Sequence, residues 1–199
     1  MRGWQCVPMI LLLILSGCAK TGEKTGLGEQ FREPYQKMEE CRMEAVVSNG
    51  TGSPLKESFQ LSCTYRADGT SSVEILAPEE VQGVQATFDQ EGMSLIYEGQ
   101  CLNTGTISRE ELSPAACLPC LMDALQNGWL LEENREKWMD TECVRLSLDR
   151  SGENGGKLVS TLWLREEDGK PLYGEIAVED KIILCAEFTK FEFGDILKN

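Results

Sequence analysis

The segment Glu57-Ser58-Phe59-Gln60-Leu61-Ser62-Cys63-Thr64-Tyr65-Arg66 sets the class of architecture. Phe59, Leu61, Cys63 and Tyr65 fall on one side and Ser58, Gln60, Ser62 and Thr64 on the other. Alternation with a period of two is the pattern of a half-buried β-strand and puts no apolar stripe on a helix. Asp68-Gly69 then makes a tight turn and Ser72 to Ala77 runs back, so the unit reads as a hairpin.

The same signals recur on both sides of this hairpin. Upstream, Arg42 to Ser48 reads as a strand closed by the loop Asn49-Gly50-Thr51-Gly52-Ser53-Pro54. Downstream, Gly83 to Asp89 and Met93 to Glu98 flank the turn Glu91-Gly92. Later strands are Thr141 to Arg150, Lys157 to Arg165, Leu172 to Val178 and Lys181 to Phe193. In Lys157 to Arg165 the alternation sets Val159, Thr161 and Trp163 opposite Leu158, Ser160, Leu162 and Leu164. About nine strands with mainly short connections imply an antiparallel meander. Two helical segments interrupt it. Glu29 to Glu40 places Phe31, Tyr35 and Met38 on one face, with Pro34 limiting where the helix can begin. Leu112 to Trp138 contains a helical insertion, with Ser113 as N-cap and Pro114 at the first helical position. From Leu118 the residues Leu121, Met122, Leu125 and Trp129 form its apolar stripe. Pro119 is expected to break or restart it, and Asn127-Gly128 to end it.

Composition removes several functions. The 199 residues contain no histidine, which excludes Ser-His-Asp and Cys-His catalysis, Cys/His zinc sites and a histidine pH switch. With 33 acidic against 19 basic residues the formal net charge is −14, the wrong sign for binding nucleic acid. Adjacent acidic pairs such as Glu79-Glu80 and Glu166-Glu167 read as solvated surface. No G-x-S-x-G, P-loop or dinucleotide-binding signature is present. No catalytic residue, metal or cofactor is therefore expected, and the chain reads as a non-enzyme.

The N-terminus supplies an address. Met1-Arg2 precedes the apolar run Val7-Pro8-Met9-Ile10-Leu11-Leu12-Leu13-Ile14-Leu15, which is too short to span a bilayer and fits a secretory signal. Leu15-Ser16-Gly17-Cys18 follows and resembles the lipobox of bacterial lipoproteins. That resemblance implies cleavage before Cys18 and a diacylglyceryl group on its sulfur, and two acyl chains anchor a protein stably. Residues 1–17 are then a signal peptide. Residues 18–28, rich in Gly, Thr and Lys, are a tether, and residues 29–199 form the folded domain. The expected location is the extracytoplasmic face of a cell membrane, held there by the lipid and not by an acidic surface that anionic head groups repel.

The middle of the chain carries a second resemblance. It rests on Val73-Glu74-Ile75-Leu76-Ala77-Pro78-Glu79-Glu80-Val81-Gln82-Gly83-Val84, on Thr87-Phe88, and on Gly92-Met93-Ser94-Leu95-Ile96-Tyr97-Glu98-Gly99. With the order signal, tether, helix, strands, helical insertion, strands, this is similar to the LolA/LolB-type lipoprotein-carrier superfamily. It is closest to that superfamily's lipidated relatives in Firmicutes. The resemblance implies a mainly β (α+β) fold, an antiparallel half-barrel with helices covering its concave face. It also implies an apolar cavity for a lipid or acyl ligand. Leu95, Tyr97, Leu162, Trp163 and Phe188, apolar side chains on strands, are candidates to line such a cavity or to pack as ordinary core.

Seven cysteines remain beyond Cys6 and Cys18, an odd number, so at least one thiol lacks an intrachain disulfide partner. Cys117-Leu118-Pro119-Cys120 is the sharpest chemical motif. At a helix start the dipole lowers a thiol pKa, so redox activity is one reading. A structural disulfide or buried thiols, and soft-metal binding, are the others. Three functions follow: a lipoprotein that binds an apolar or acylated ligand, an envelope scaffold for an unidentified protein partner, or a tethered thiol-disulfide protein using Cys117 and Cys120.

Overall fold

The computed structural model describes residues 26–50, 57–89, 91–105, 112–151 and 156–194. Cys6, the signal, the lipobox with Cys18 and most of the tether lie outside the described residues. The described part opens with helix α1 (Leu27–Lys37), two residues inside the stretch read as tether. Gly28 allows this early start. Its N–H donates to Glu133 Oε2 at 2.5 Å, and a Cβ there would lie 2.7 Å from Leu130 Cδ2.

A first meander follows: β1 (Glu40–Asn49), β2 (Ser58–Arg66), β3 (Ser71–Ala77), β4 (Gln85–Asp89), β5 (Gly92–Tyr97) and β6 (Gln100–Gly105). Helix α2 (Pro114–Asn127) comes next. A second meander closes the chain: β7 (Trp129–Trp138), β8 (Thr141–Asp149), β9 (Leu158–Arg165), β10 (Pro171–Val178) and β11 (Lys181–Phe193). The strands form one antiparallel sheet in the order β6-β5-β4-β3-β2-β1-β11-β10-β9-β8-β7. The first and last strands join the two meanders, with Val47 opposite Ala186 and Met43 opposite Phe191. Register shifts at Glu44/Ala45, Gln60/Leu61 and Ile176/Ala177 mark bulges, and bulges bend a sheet. The result is an open half-barrel with the helices on its concave face.

The sheet has eleven strands where the periodicity predicts about nine. The two additional ones, β6 and β7, are its edges. The helical insertion is correspondingly shorter than Leu112 to Trp138. It ends at Asn127, and Trp129 belongs to β7, 76% exposed, and not to the helix stripe. Pro119 does not break α2. It sits in the second turn, where its missing N–H costs a single intrahelical bond and the surrounding core holds the helix together. Pro34 is likewise inside α1.

Helix α2 connects the two edges by crossing the concave face. Ala116, Cys117, Leu118, Leu121, Met122, Ala124 and Leu125 are all buried. All but Ala116 share one core with Val47, Leu61, Cys63 and Val73 from one meander and Val144, Leu146, Leu148, Leu162, Leu164 and Ile176 from the other. Gly174 makes room for this crossing, because a Cβ there would stand 2.7 Å from Leu121 Cδ1. Burying a leucine or methionine side chain contributes about 1.5–3 kcal/mol each. The C-terminal end of α2 is held by α1. The buried Arg32 guanidinium donates from Nε to Leu125 O at 2.9 Å and from Nη2 to Gly128 O at 2.7 Å, and pairs with Glu29 at 3.2 Å. It thus satisfies carbonyls that the helix end leaves without partners and complements the helix dipole.

Two substitutions test this arrangement by urea unfolding. Leu121→Ala should lower stability by about 2–5 kcal/mol, the range for a leucine truncated in a packed core. Arg32→Met keeps the bulk but leaves two carbonyls unsatisfied, and should cost about 1–3 kcal/mol.

Candidate functional site

The concave face is largely filled by α2, and two clefts lie beside that helix, along Ala116 to Asp123. They adjoin and share Phe88, Cys120 and Asp123. The first, about 330 Å³, is lined by Tyr65, Asp68, Gly69, Ser71, Phe88, Asp89, Pro119, Cys120 and Asp123. The second, about 260 Å³, is bounded by Phe88, Leu112, Ala116, Cys120, Asp123, Arg150 and Leu158.

Each wall has a local origin. The β2–β3 hairpin turns at Asp68-Gly69, with Gly69 at φ 84° and Asp68 Oδ1 accepting from Thr70 N at 2.9 Å and Thr70 Oγ1 at 2.7 Å. Those bonds hold the Asp68 carboxyl below its usual range. Phe88 and Asp89 end β4, and Asp89 Oδ1 accepts from Glu91 N at 2.8 Å. Arg150 follows β8 and pairs with Asp123 of α2, whose Oδ1 also accepts from Asn127 at 2.8 Å. Tyr65 donates from its hydroxyl to Gln126 Oε1 at 2.9 Å. Ser71 is 4% exposed, and its Oγ is buried without a hydrogen-bond partner.

A third, polar groove of about 390 Å³ runs along Glu39, Glu40, Arg42 and Glu192. Its Glu40 is taken by Arg42 at 2.9 Å and Arg66 at 3.2 Å, and its walls offer little to an apolar ligand.

The five apolar residues singled out from the sequence do not come together. Leu162 is fully buried beneath α2. Trp163, its neighbour in β9, projects from the other face of the sheet, in a ring cluster with Trp138 (5.3 Å between centroids) and Tyr173 (5.3 Å). Its indole N–H bonds Glu136 there. Phe188 and Leu95 pack partly buried against the core from β11 and β5. Tyr97, at the end of β5, is 46% exposed. None of the five lines either cleft.

Cys117 and Cys120 separate by environment. Cys117 is completely buried, and burial pushes its thiol well above the ordinary range, reinforced by Cys120, Cys185 and Cys63 nearby. Cys117 does lie in the first turn of α2, but burial in the core outweighs the lowering expected from a helix start. Cys120 faces the clefts. No disulfide joins the seven cysteines of the described residues. Burial raises the Cys41 thiol from 9.0 to about 12 and also raises Cys63. Among the described residues no group of three or more His, Cys, Asp or Glu is placed to hold a metal ion, and no helix is long and apolar enough to cross a membrane.

Of the cleft residues, only Cys120 was marked by sequence reasoning. The others come from α2 and from the ends of strands in both meanders. The Asp68-Gly69 turn was the one further signal available.

No family model and no curated protein matches the chain. Among solved structures it is similar to a LolA superfamily protein from Nitrosomonas europaea, at 9% identity and TM-score 0.44 over 84% of this chain and 94% of that one. It is also similar to the lipoprotein LppX of Mycobacterium tuberculosis, at 12% identity and TM-score 0.44, covering 84% and 94%. LprF of Mycobacterium bovis matches at 15% identity and TM-score 0.42, covering 85% and 96%.

Thiol reactivity checks the burial pattern. With iodoacetamide at neutral pH, read peptide by peptide by mass spectrometry, the exposed Cys101 should react first. Cys41 should react slower than an ordinary thiol by about three orders of magnitude, the reduction in thiolate that its shift implies. Because the folded-state pKa of Cys41 is raised, its protonated form favours the native state. That contribution is complete below about pH 9 and is lost as pH rises toward about 12, so stability should fall on the alkaline side.

Proposed function

We infer that the chain is a non-enzymatic, extracytoplasmic lipoprotein, anchored to a membrane through lipid on Cys18, that binds an apolar or acylated ligand in the clefts beside α2. The observation that carries this reading is the cleft beside α2 lined by Phe88, Leu112, Ala116, Cys120, Asp123, Arg150 and Leu158, a recess with mainly apolar walls. Its size is at the lower end of small-molecule sites, which suits one chain or a small apolar group better than a large lipid. Residues 19–26, rich in Gly, Thr and Lys, have the composition of a tether between an anchor and a folded domain, which fits the same reading.

A second reading, an envelope scaffold for a protein partner, is favoured by the filling of the concave face. Trp129 and Leu131 lie exposed on the edge strand β7, where a partner has both apolar contact and strand edge available.

Native mass spectrometry of the chain from Ala19 onward, followed by denaturation and solvent extraction, separates the two. A stoichiometric acyl-chain adduct is expected. Cys120→Phe, which places a ring between the two clefts, should abolish it while leaving the circular dichroism spectrum unchanged. A clean apo mass after incubation with fatty acids, fatty amines and lipopeptides would sink the ligand reading and leave the scaffold.

A further inference from the structure

Both clefts have mainly apolar walls, and they differ in the charged residues at their rims. The side of Leu112, Ala116 and Leu158 is apolar, whereas the side of Tyr65, Ser71 and Phe88 is rimmed by Asp68 and Asp89. We propose that the ligand is an amphiphile with a protonated amine head. Its apolar part lies along Phe88, Leu112, Ala116 and Leu158, and its ammonium group sits among Asp68, Asp89, Tyr65 and Ser71. The proposal rests on the reading of the clefts as an apolar-ligand site and adds the chemistry of the head group.

Charge is the first argument. Asp123, the carboxylate on the shared wall, is neutralised by Arg150. Arg66, the cation nearest Asp68 in sequence, pairs with Glu40 at 3.2 Å and acts on Asp68 only through space, less than the Thr70 bonds do. Asp68 and Asp89 form no ion pair among the described residues. Each instead accepts through Oδ1 from its own turn, Asp68 from Thr70 and Asp89 from Glu91 and Gly92. Two negative charges therefore face this end of the recess, and a carboxylate or phosphate head would be repelled there.

The second argument is independent of charge. Ser71 is 96% buried by its 4% exposure, and its Oγ has no partner. It shares the core-facing side of β3 with Val73 and lines the cleft that Asp68 and Asp89 rim. A buried hydroxyl left without a hydrogen bond is costly, and a polar head group, as donor or acceptor, would satisfy it, which places the ligand's polar end here while the two carboxylates select its charge. The aromatic rings of Tyr65 and Phe88 complete the environment, since ring faces attract ammonium groups. A metal cation fits less well, because no three carboxylates or thiols of the described residues are placed to ligate one.

The test uses the full chain in nanodiscs of uncharged galactolipid. Three photoactivatable probes share one dodecyl chain bearing a diazirine and end in a primary ammonium, a carboxylate or a hydroxyl. Cross-linking is read on peptides spanning residues 84–89 and 112–127. The ammonium probe should label these peptides about tenfold more than the carboxylate probe. The double variant Asp68→Asn/Asp89→Asn keeps the acceptor oxygen of both turns and should reduce that ratio to near one. Equal labelling by all three probes would leave the apolar site standing and overturn the amine head. Preference for the carboxylate would also overturn it and make Arg150 the recognising group. A tenfold ratio that survives the double variant would overturn the role of the two carboxylates. No labelling of these peptides by any probe would overturn the ligand reading on which the proposal rests.

Discussion

The fold depends on one crossing. β6 and β7 are consecutive strands in the chain but stand at opposite edges of the sheet, so the connection between them must traverse the whole concave face. Only an element with apolar surface on several sides can do so, because it meets both meanders at once. α2 meets that requirement with Leu118, Leu121, Met122 and Leu125 at full burial, small Ala116 and Ala124 where the helix runs close to its neighbours, and Gly174 beneath Leu121. Without α2 the half-barrel would expose the inner faces of β2, β3, β8, β9 and β10 to water, and the two meanders would touch only through β1 and β11.

What the sequence revealed follows from the same geometry. The strands at the centre of the sheet have one face on α2 or α1 and one toward solvent, so they alternate, and Phe59 to Tyr65 does so without a fault. The edge strands do not. Leu102 of β6 is exposed, and β7 reads Leu-Leu-Glu-Glu-Asn-Arg-Glu-Lys between two tryptophans. Charged residues are what an unpaired strand edge needs, and they also erase the period of two. Trp129 extended the stripe of α2 by coincidence of spacing. Only the three-dimensional end at Gly128, where Arg32 takes the last carbonyls, separates it from the helix.

The site was less legible than the fold, for a different reason. Choosing apolar residues on strands selects side chains by type, whereas a cleft is made where elements end. Leu162 and Trp163 illustrate the failure, since the alternation in β9 already sets them on opposite faces. Besides Ala116, Pro119, Cys120 and Asp123 of α2, the clefts are lined largely by turn and terminus residues: Asp68 and Gly69 in a hairpin, Asp89 and Arg150 just at the ends of strands, Leu112 just before a helix. Their proximity is created by α2 passing over them, which no local pattern encodes.

The two ends of α2 are held unequally, and this bears on the proposed ligand site. The C-terminal half is tied by Arg32 to Leu125 and Gly128, by Tyr65 to Gln126 and by Arg150 to Asp123. The N-terminal half begins at Ser113, whose side chain makes no capping bond, and Pro119 removes one N–H from the helix ladder. Among the described residues fewer side-chain bonds hold the N-terminal end than the C-terminal one, and local openings concentrate where such bonds are few. The clefts lie on that looser half. A ligand that slides between Phe88 and the first turns of α2 would displace the part of the helix least tied to the rest, while Arg32 keeps the far end and the core beneath it in place.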